Sequence, residues 1–363
     1  MGNKLENEID NNNNNNNNIF NYSIDNNIKE EAYKLEKELL NKYCYPLTNK
    51  EVYYKDIPIS FHGDSYLHTL MYGEENLSKP NYNNKKILIM LHGFQACSLT
   101  YYRLIPLIRE KFIIICPDLI GMGLSSRPKV NFESAEECIN FFVESLEKFR
   151  QTLNINKFYL CGHSLGGYFA GQYAIKYPQY LEDNILLMSP TGIGDESKGG
   201  NTNENLYFGQ KLIFKGNFGL FYFQPTLQSF YQKFLINHII DKILNLKYNI
   251  PKEESEYFAK IRGLGLKYPK DLDDCIYFIF KYPFPTPIIP LEEFFLNKIP
   301  EKNIIFCYGE KDWMDNFGAK RLNKINNKKY KYFTINKGTH TWPLENIEEG
   351  AKIINEELIK NIS

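Results

Sequence analysis

The chain has 363 residues, 43% of them hydrophobic, which is enough for one large α/β domain with an insertion or for two ordinary domains. Lysine plus arginine and aspartate plus glutamate both number 43, and no basic run stands out, so the composition argues against a nucleic-acid binder. The seven cysteines are odd in number and scattered without a Cys-x-x-Cys pair, and the expectation is a reducing, cytoplasmic setting.

No run approaches the length of a membrane-spanning helix, and the start lacks the basic-then-apolar pattern of a secretory leader. Gly2 opens a stretch resembling an N-myristoylation site, but Glu6 stands where Ser or Thr is expected. Residues 1–27 are Asn-rich, with an unbroken tract from Asn11 to Asn18, and such a segment buries too little apolar surface to order itself. From Ile28 the pattern changes. Ile28, Ala32, Leu35, Leu39 and Tyr43 recur at helical spacing, so residues 28–50 read as an amphipathic helix and a connection. Its balanced charge favours docking on the domain over lying in a membrane interface.

Strand-like runs follow at 51–59, 66–72, 86–91, 112–116, 158–161, 184–188, 303–307 and 330–335, with helical patterns at 134–153 and 317–325 and a last helix at about 345–359. Near-continuous apolar strands alternating with helices predict a mostly parallel sheet covered on both faces, an α/β class fold over 51–191 and 288–363. The alternation breaks over 192–287, which is rich in Phe, Tyr, Leu and Ile without strand periodicity (Phe218-Gly-Leu-Phe-Tyr-Phe, for example). Inserted between two core strands, this stretch predicts a helical lid above the strand C-terminal ends, where open α/β sheets place their sites.

The strand at 158–161 runs into Gly162-His163-Ser164-Leu165-Gly166-Gly167, followed by a helical run that Pro178 ends. Gly-x-Ser-x-Gly between a strand and a helix places the serine on a sharp turn with its hydroxyl at the top of the sheet. Side chains at Gly162 or Gly166 would collide with the neighbouring strand and helix. Ser164 is therefore the candidate nucleophile. A serine hydroxyl needs a base to take its proton and an acid to orient that base, here in the chain order Ser, Asp or Glu, His. Asp312, just past the strand at 303–307 and the Gly309 turn, is the favoured acid, with Glu310 and Asp315 as competitors. Of six histidines, His340 lies in the loop after the last strand and is the candidate base. The oxyanion hole needs two backbone N–H donors, expected from Leu165 and from Phe94 in Leu91-His92-Gly93-Phe94, where Gly93 shapes the turn. His92 reads as structural, Asp118 as a residue bracing the loop after the strand at 112–116, and Arg127 as exposed or paired. No metal or cofactor is expected.

Asp118-Leu-Ile-Gly-Met-Gly-Leu-Ser-Ser-Arg-Pro128, Gly162-His-Ser-Leu-Gly-Gly-Tyr168, Tyr308-Gly-Glu-Lys-Asp-Trp-Met314 and the His340 segment resemble the α/β-hydrolase family across about residues 50–363. More narrowly they resemble its lipid-acting branch, which holds α/β-hydrolase domain proteins four and five with their plant and yeast relatives. The resemblance implies an α/β-hydrolase fold with an inserted lid, and lipid esters, phospholipids or lysophospholipids, cleaved through an acyl-enzyme on Ser164. It also implies a peripheral membrane or lipid-droplet surface as a partner. Some members are described as lysophosphatidic acid acyltransferases with a His-x-x-x-x-Asp motif; here Glu345 stands at its last position. One member has lost its serine and acts as a lipase co-activator, so a non-catalytic lipid-droplet adaptor is a second reading. An aminopeptidase of the same fold, its substrate amine held by Glu253, Glu254 or Glu256, ranks last. An epoxide hydrolase would need Asp at position 164.

Overall fold

Successive side chains of a strand point to opposite faces, so a strand that is apolar throughout must be covered twice. The computed structural model, which describes residues 21–22, 26–44, 52–73, 85–194, 250–265, 272, 275–281, 286–298 and 302–360, arranges the chain in this way. Eight strands form one sheet: β1 (Val52–Ser60), β2 (Asp64–Tyr72), β3 (Lys86–Leu91), β4 (Phe112–Pro117), β5 (Phe158–His163), β6 (Leu181–Met188), β7 (Asn303–Gly309) and β8 (Tyr330–Ile335). Their spatial order is β8-β7-β6-β5-β3-β4-β2-β1. The pairs β1–β2 and β2–β4 are antiparallel and the others parallel.

The alternation divides the core into two layers. Ile89, Leu91, Ile113, Ile115, Leu160, Ile185, Leu187, Ile304 and Phe306 face one layer, closed by helices α2 (Ala135–Thr152), α3 (Leu165–Lys176), α6 (Leu291–Lys298) and α7 (Phe317–Ile325). Leu88, Met90, Ile114, Cys116, Cys161, Leu186, Met188, Ile305 and Cys307 face the other. That layer is closed by α1 (Asn26–Tyr43), the 98–108 segment, Phe258 and Ile261 of α4 (Lys252–Gly265), and the C-terminal turns. Ser134 caps α2 by accepting from the Glu137 N–H, which ends the loop before it. All seven cysteines are buried, and burial raises the thiol pKa of Cys97, Cys116, Cys161 and Cys307.

Some boundaries differ from expectation. β6 begins at Leu181 rather than 184, because Glu182 and Asp183 continue the strand past an irregularity opposite Phe158–Leu160. The last helix starts at Ile347 rather than at about 345. Glu345 belongs to a separate turn, Trp342–Glu345, that ends at Asn346, and α8 (Ile347–Ile353) then continues into a wider helical turn over Ile354–Leu358. Pro343 sits in the first turn, where its missing N–H costs nothing. Most of the Asn-rich segment lies outside the described residues; the backbone of Asn21–Tyr22 pairs antiparallel with Arg127–Pro128.

Within 192–287, residues 195–249, including His238 and the Phe218 run, lie outside the described residues. The described part holds α4, α5 (Cys275–Ile279) and a two-residue strand pair. A Cβ on Gly121 would stand 2.5 Å from Leu272, so the insertion packs on the loop that follows β4. No helix among the described residues is long and apolar enough to cross a membrane.

The amphipathic helix α1 docks on the domain. Leu39 and Leu40 are buried, Ala32 packs with Leu124 and Leu264, and Lys42 pairs with Glu253 of α4. A buried ionic cluster supplements this apolar contact. His68 of β2 bonds Asp56 through Nδ1 (2.7 Å) and Glu36 of α1 through Nε2 (3.1 Å), and its ring stacks between Tyr33 and Tyr54. Burial alone would lower the His68 pKa, but Glu36 and Asp56 outweigh it and raise it to about 10. Burial would likewise raise Asp56, yet the bonds from His68, Lys29 and Tyr33 hold it at about 2. His68 is therefore a buried imidazolium between carboxylates. Its contribution to stability is present in full below the ordinary histidine pKa of about 6.5 and is lost as pH rises through about 10. His68→Ala leaves Glu36 buried without its cation, while Asp56 keeps Lys29 and Tyr33, and is expected to cost about 3–5 kcal/mol in urea unfolding at neutral pH. The difference from wild type should shrink as pH is raised towards 10.

Candidate active site

The sharp turn between β5 and α3 holds Ser164 at φ 54°, ψ −120°, a backbone conformation that L side chains rarely adopt. Its N–H donates to Met188 O at the end of β6 (2.9 Å), and its carbonyl accepts from Thr191 N (3.1 Å). The turn closes only because its flanks carry no side chains. A Cβ on Gly162 would stand on the Gly166 carbonyl, and one on Gly166 on the carbonyls of Leu91 and His92. These neighbours are backbone and cannot swing aside. Gly166→Ala is therefore expected to destabilise the fold by about 1–3 kcal/mol or more, read as a lower urea midpoint with an unchanged slope. An undiminished midpoint would contradict this packing.

The acid and base candidates meet where two loops run against each other. Lys311 N–H donates to Gly338 O (2.8 Å), and Gly309 passes so close to the carbonyls of Gly338 and Thr339 that a side chain there would collide. This approach brings Asp312, just beyond β7, beside His340, just beyond β8. Asp312 Oδ1 lies 2.9 Å from His340 Nδ1, and His340 Nε2 lies 3.0 Å from Ser164 Oγ. The carboxylate side chain is fully buried, and Oδ1 also accepts from Met314 N–H (2.9 Å). Facing a carboxylate, Nδ1 carries the ring proton, which leaves the Nε2 lone pair for the serine O–H. The competitors lie elsewhere: Glu310 accepts from Lys337 N–H and Asp315 from Phe317 N–H.

Leu165 is the first residue of α3, and the first N–H groups of a helix have no carbonyl four residues back. Phe94 lies in the turn after β3, and a Cβ on the preceding Gly93 would be 3.0 Å from the Ser164 Cβ, so this turn runs directly against the nucleophile. His92 shapes it: Nδ1 donates to Gly93 O (2.8 Å), while Nε2 accepts from Leu119 N–H (2.9 Å). Asp118 is buried and braces the adjoining loop by accepting from the N–H groups of Ser98 (2.6 Å) and Leu124 (2.8 Å). Arg127 is buried rather than exposed; it donates to the carbonyls of Ser125, Gly123 and Gly265, joining the loop to the end of α4. Glu254, a carboxylate considered for an amine site, is buried against Tyr102 and Arg103.

Two aromatic neighbours of the base escaped sequence reasoning. His163 sits beside His340 (ring centroids 4.9 Å apart), and its Nε2 donates to the His340 carbonyl (2.7 Å). Burial, with His340 adding to it, lowers the His163 pKa to about 3, so it stays neutral and does not compete for the serine proton. The Trp313 ring lies 4.7 Å from that of His340 on the opposite loop. Only the position of His163 inside the nucleophile motif hinted at the first contact, and nothing in the sequence signalled the second.

The profile of the alpha/beta hydrolase fold family matches residues 86–346, most of the chain. The chain belongs to this family. Its curated relatives carry the resemblance to the lipid-acting branch. The human 1-acylglycerol-3-phosphate O-acyltransferase ABHD5 is 35% identical over 156 residues, which are 41% of this chain and 39% of that protein. A rice probable 1-acylglycerol-3-phosphate O-acyltransferase is 35% identical over 115 residues, 32% of this chain and 28% of that one. The Caenorhabditis elegans abhydrolase domain-containing protein abhd-5.2 is 29% identical over 249 residues, 67% of this chain and 52% of that one. The matches thus span about half or less of these relatives' length. Among solved structures, a 2-hydroxy-6-oxo-6-phenylhexa-2,4-dienoate hydrolase from Rhodococcus sp. RHA1 superposes with a TM-score of 0.62 at 20% identity, covering 85% of this chain and 99% of that one. A membrane phospholipase A described as a bacterial virulence factor superposes equally well at 15% identity, covering 92% of each chain. At these identities both speak for the fold alone.

Proposed function

We propose that this protein is a serine hydrolase that cleaves carboxylic esters of lipids, phospholipids or lysophospholipids, through an acyl-enzyme. The observation that carries the reading is the unbroken relay from Asp312 through His340 to Ser164, with bonds of 2.9 and 3.0 Å. Ser164 Oγ attacks the ester carbonyl while His340 Nε2 takes its proton. The carbonyl oxygen becomes an oxyanion facing the N–H groups of Leu165 and Phe94, each such donor contributing about 2.7–4 kcal/mol to the transition state. The His340 imidazolium, held by Asp312, then protonates the leaving alcohol. Water, deprotonated by the same Nε2, releases the fatty acid in a second round.

The lipid class rests on the relatives, whose names describe acyl transfer to a 1-acylglycerol-3-phosphate. Those names also sustain a second reading, in which the acyl group passes from Ser164 to the hydroxyl of such an acceptor instead of to water. Both readings share the acyl-enzyme and differ in what reaches it. A non-catalytic adaptor has no need of an assembled relay. The same resemblance proposes a membrane or lipid-droplet surface as the place of action. The test is product analysis with lysophospholipid and phospholipid vesicles, with and without 1-acylglycerol-3-phosphate. Free fatty acid without acceptor supports the hydrolase, and diacyl product only with acceptor supports the transferase. Neither product from folded protein overturns both.

A further inference from the structure

The loop that carries His340 is flanked by two threonines, and both turn their hydroxyls on one carboxylate. Thr339 Oγ1 donates to Glu345 (2.8 Å to Oε1 and 3.0 Å to Oε2), and Thr341 Oγ1 donates to Glu345 Oε1 (2.7 Å). The two hydroxyls are 3.1 Å apart, so the three side chains form a closed polar cluster around the base. The backbone just before Glu345 is fixed too: Leu344 N–H donates to Thr341 O (2.9 Å), and Arg103 holds the Leu344 carbonyl (2.8 Å). Among the hydrogen bonds of the described residues, none joins Glu345 to Ser164 or to the His340 ring.

We infer that Glu345 is a positioning residue: by bridging Thr339 and Thr341 it fixes the loop that presents His340 to both Ser164 and Asp312. The inference rests on the reading of His340 as the base. A carboxylate occupied by two hydroxyls on opposite sides of His340 acts through the geometry of the loop, not by carrying a proton to or from an acyl acceptor. His163 completes the hold from the other side, through the His340 carbonyl. A displacement of about 1 Å in a reacting group can cost about 100-fold in rate, so three residues that pin one backbone segment are enough to matter.

The two roles predict opposite results for an isosteric change. In Glu345→Gln the amide oxygen accepts from one hydroxyl and the amide N–H donates to the other, so the bridge survives while the charge and the exchangeable proton go. Glu345→Ala removes the bridge. Two readouts decide. The first is kcat against KM on a lysophospholipid. Glu345→Ala is expected to lower kcat by about 10- to 100-fold with little change in KM, and Glu345→Gln to recover most of that loss. The second is the downfield proton resonance of His340 Nδ1–H in its bond to Asp312, which reports the geometry whether or not the protein turns over. It should shift or broaden in Glu345→Ala and persist in Glu345→Gln. Thr341→Val, which removes one hydroxyl, should reproduce the alanine effect in part and keeps the test open where Glu345→Ala does not fold. A Gln variant as impaired as Ala, or an Ala variant with wild-type kcat or an unchanged Nδ1–H resonance, overturns the inference. A wild type without lipase activity instead overturns the hydrolase reading, and the resonance still decides whether Glu345 positions the loop.

Discussion

Ser164→Ala is expected to reduce ester hydrolysis by about a millionfold, to the rate that oxyanion donors and substrate binding alone sustain. The size of the effect follows from the geometry. His340 Nε2 sits 3.0 Å from a single hydroxyl, and without it the base has no proton to take and the acyl group no oxygen to join. The variant should still fold. Only one buried oxygen is removed and the Ser164 N–H to Met188 O bond is retained, so stability should move by no more than about 1 kcal/mol. Initial rates with a soluble aryl ester, alongside urea unfolding of the same preparation, separate lost chemistry from lost fold. Residual turnover within tenfold of wild type would place the nucleophile elsewhere.

Asp312→Ala is expected to lower kcat by about 10⁴-fold, less than removal of the nucleophile. Asp312 Oδ1 fixes the tautomer of His340 and faces the imidazolium that forms during attack. In its absence the Nδ1 proton has no anionic acceptor, while the neighbouring rings of His163 and Trp313 offer no charge to replace it. The substitution also discriminates among three carboxylates close in sequence. Among the described residues, Glu310 accepts from the Lys337 N–H and Asp315 from the Phe317 N–H, and neither bonds His340, so Glu310→Ala and Asp315→Ala should leave kcat within about twofold of wild type. Matched kcat values for the three alanine variants decide the matter, and a large loss at Glu310 or Asp315 would reassign the acid.

The parts of the site that the sequence made legible are those that local physics fixes. Gly162, Ser164 and Gly166 between a strand and a helix admit few backbone solutions, and Leu165 follows as the first helical residue. Asp312 and His340 were readable because each follows the C-terminal end of a strand, and parallel neighbouring strands bring such ends together. The same logic gave the two-layer sheet, since strands such as Ile113–Cys116 have no polar face to expose. What stayed hidden depends on contacts between distant segments. Glu36, Asp56 and His68 lie on three elements, and nothing local in any of them announces a buried imidazolium. Arg127 is buried because three carbonyls, one from the far end of α4, happen to face it. Helix α6 (Leu291–Lys298) has only eight residues, too few for periodicity to separate it from the end of the insertion. The break after Glu345 was invisible because Leu344 and Ile347 stand three residues apart, a helical spacing that runs on through Ala351 and Ile354.

The central claim is that Ser164 is the activated nucleophile of an acyl-transfer site. Fluorophosphonate labelling of the folded protein, with the modified residue mapped by peptide mass spectrometry, tests it without assuming any substrate. The account predicts a single covalent adduct on Ser164, formed rapidly in wild type and absent from Ser164→Ala. A folded wild-type protein that takes up no label, or takes it up on another residue, would contradict it.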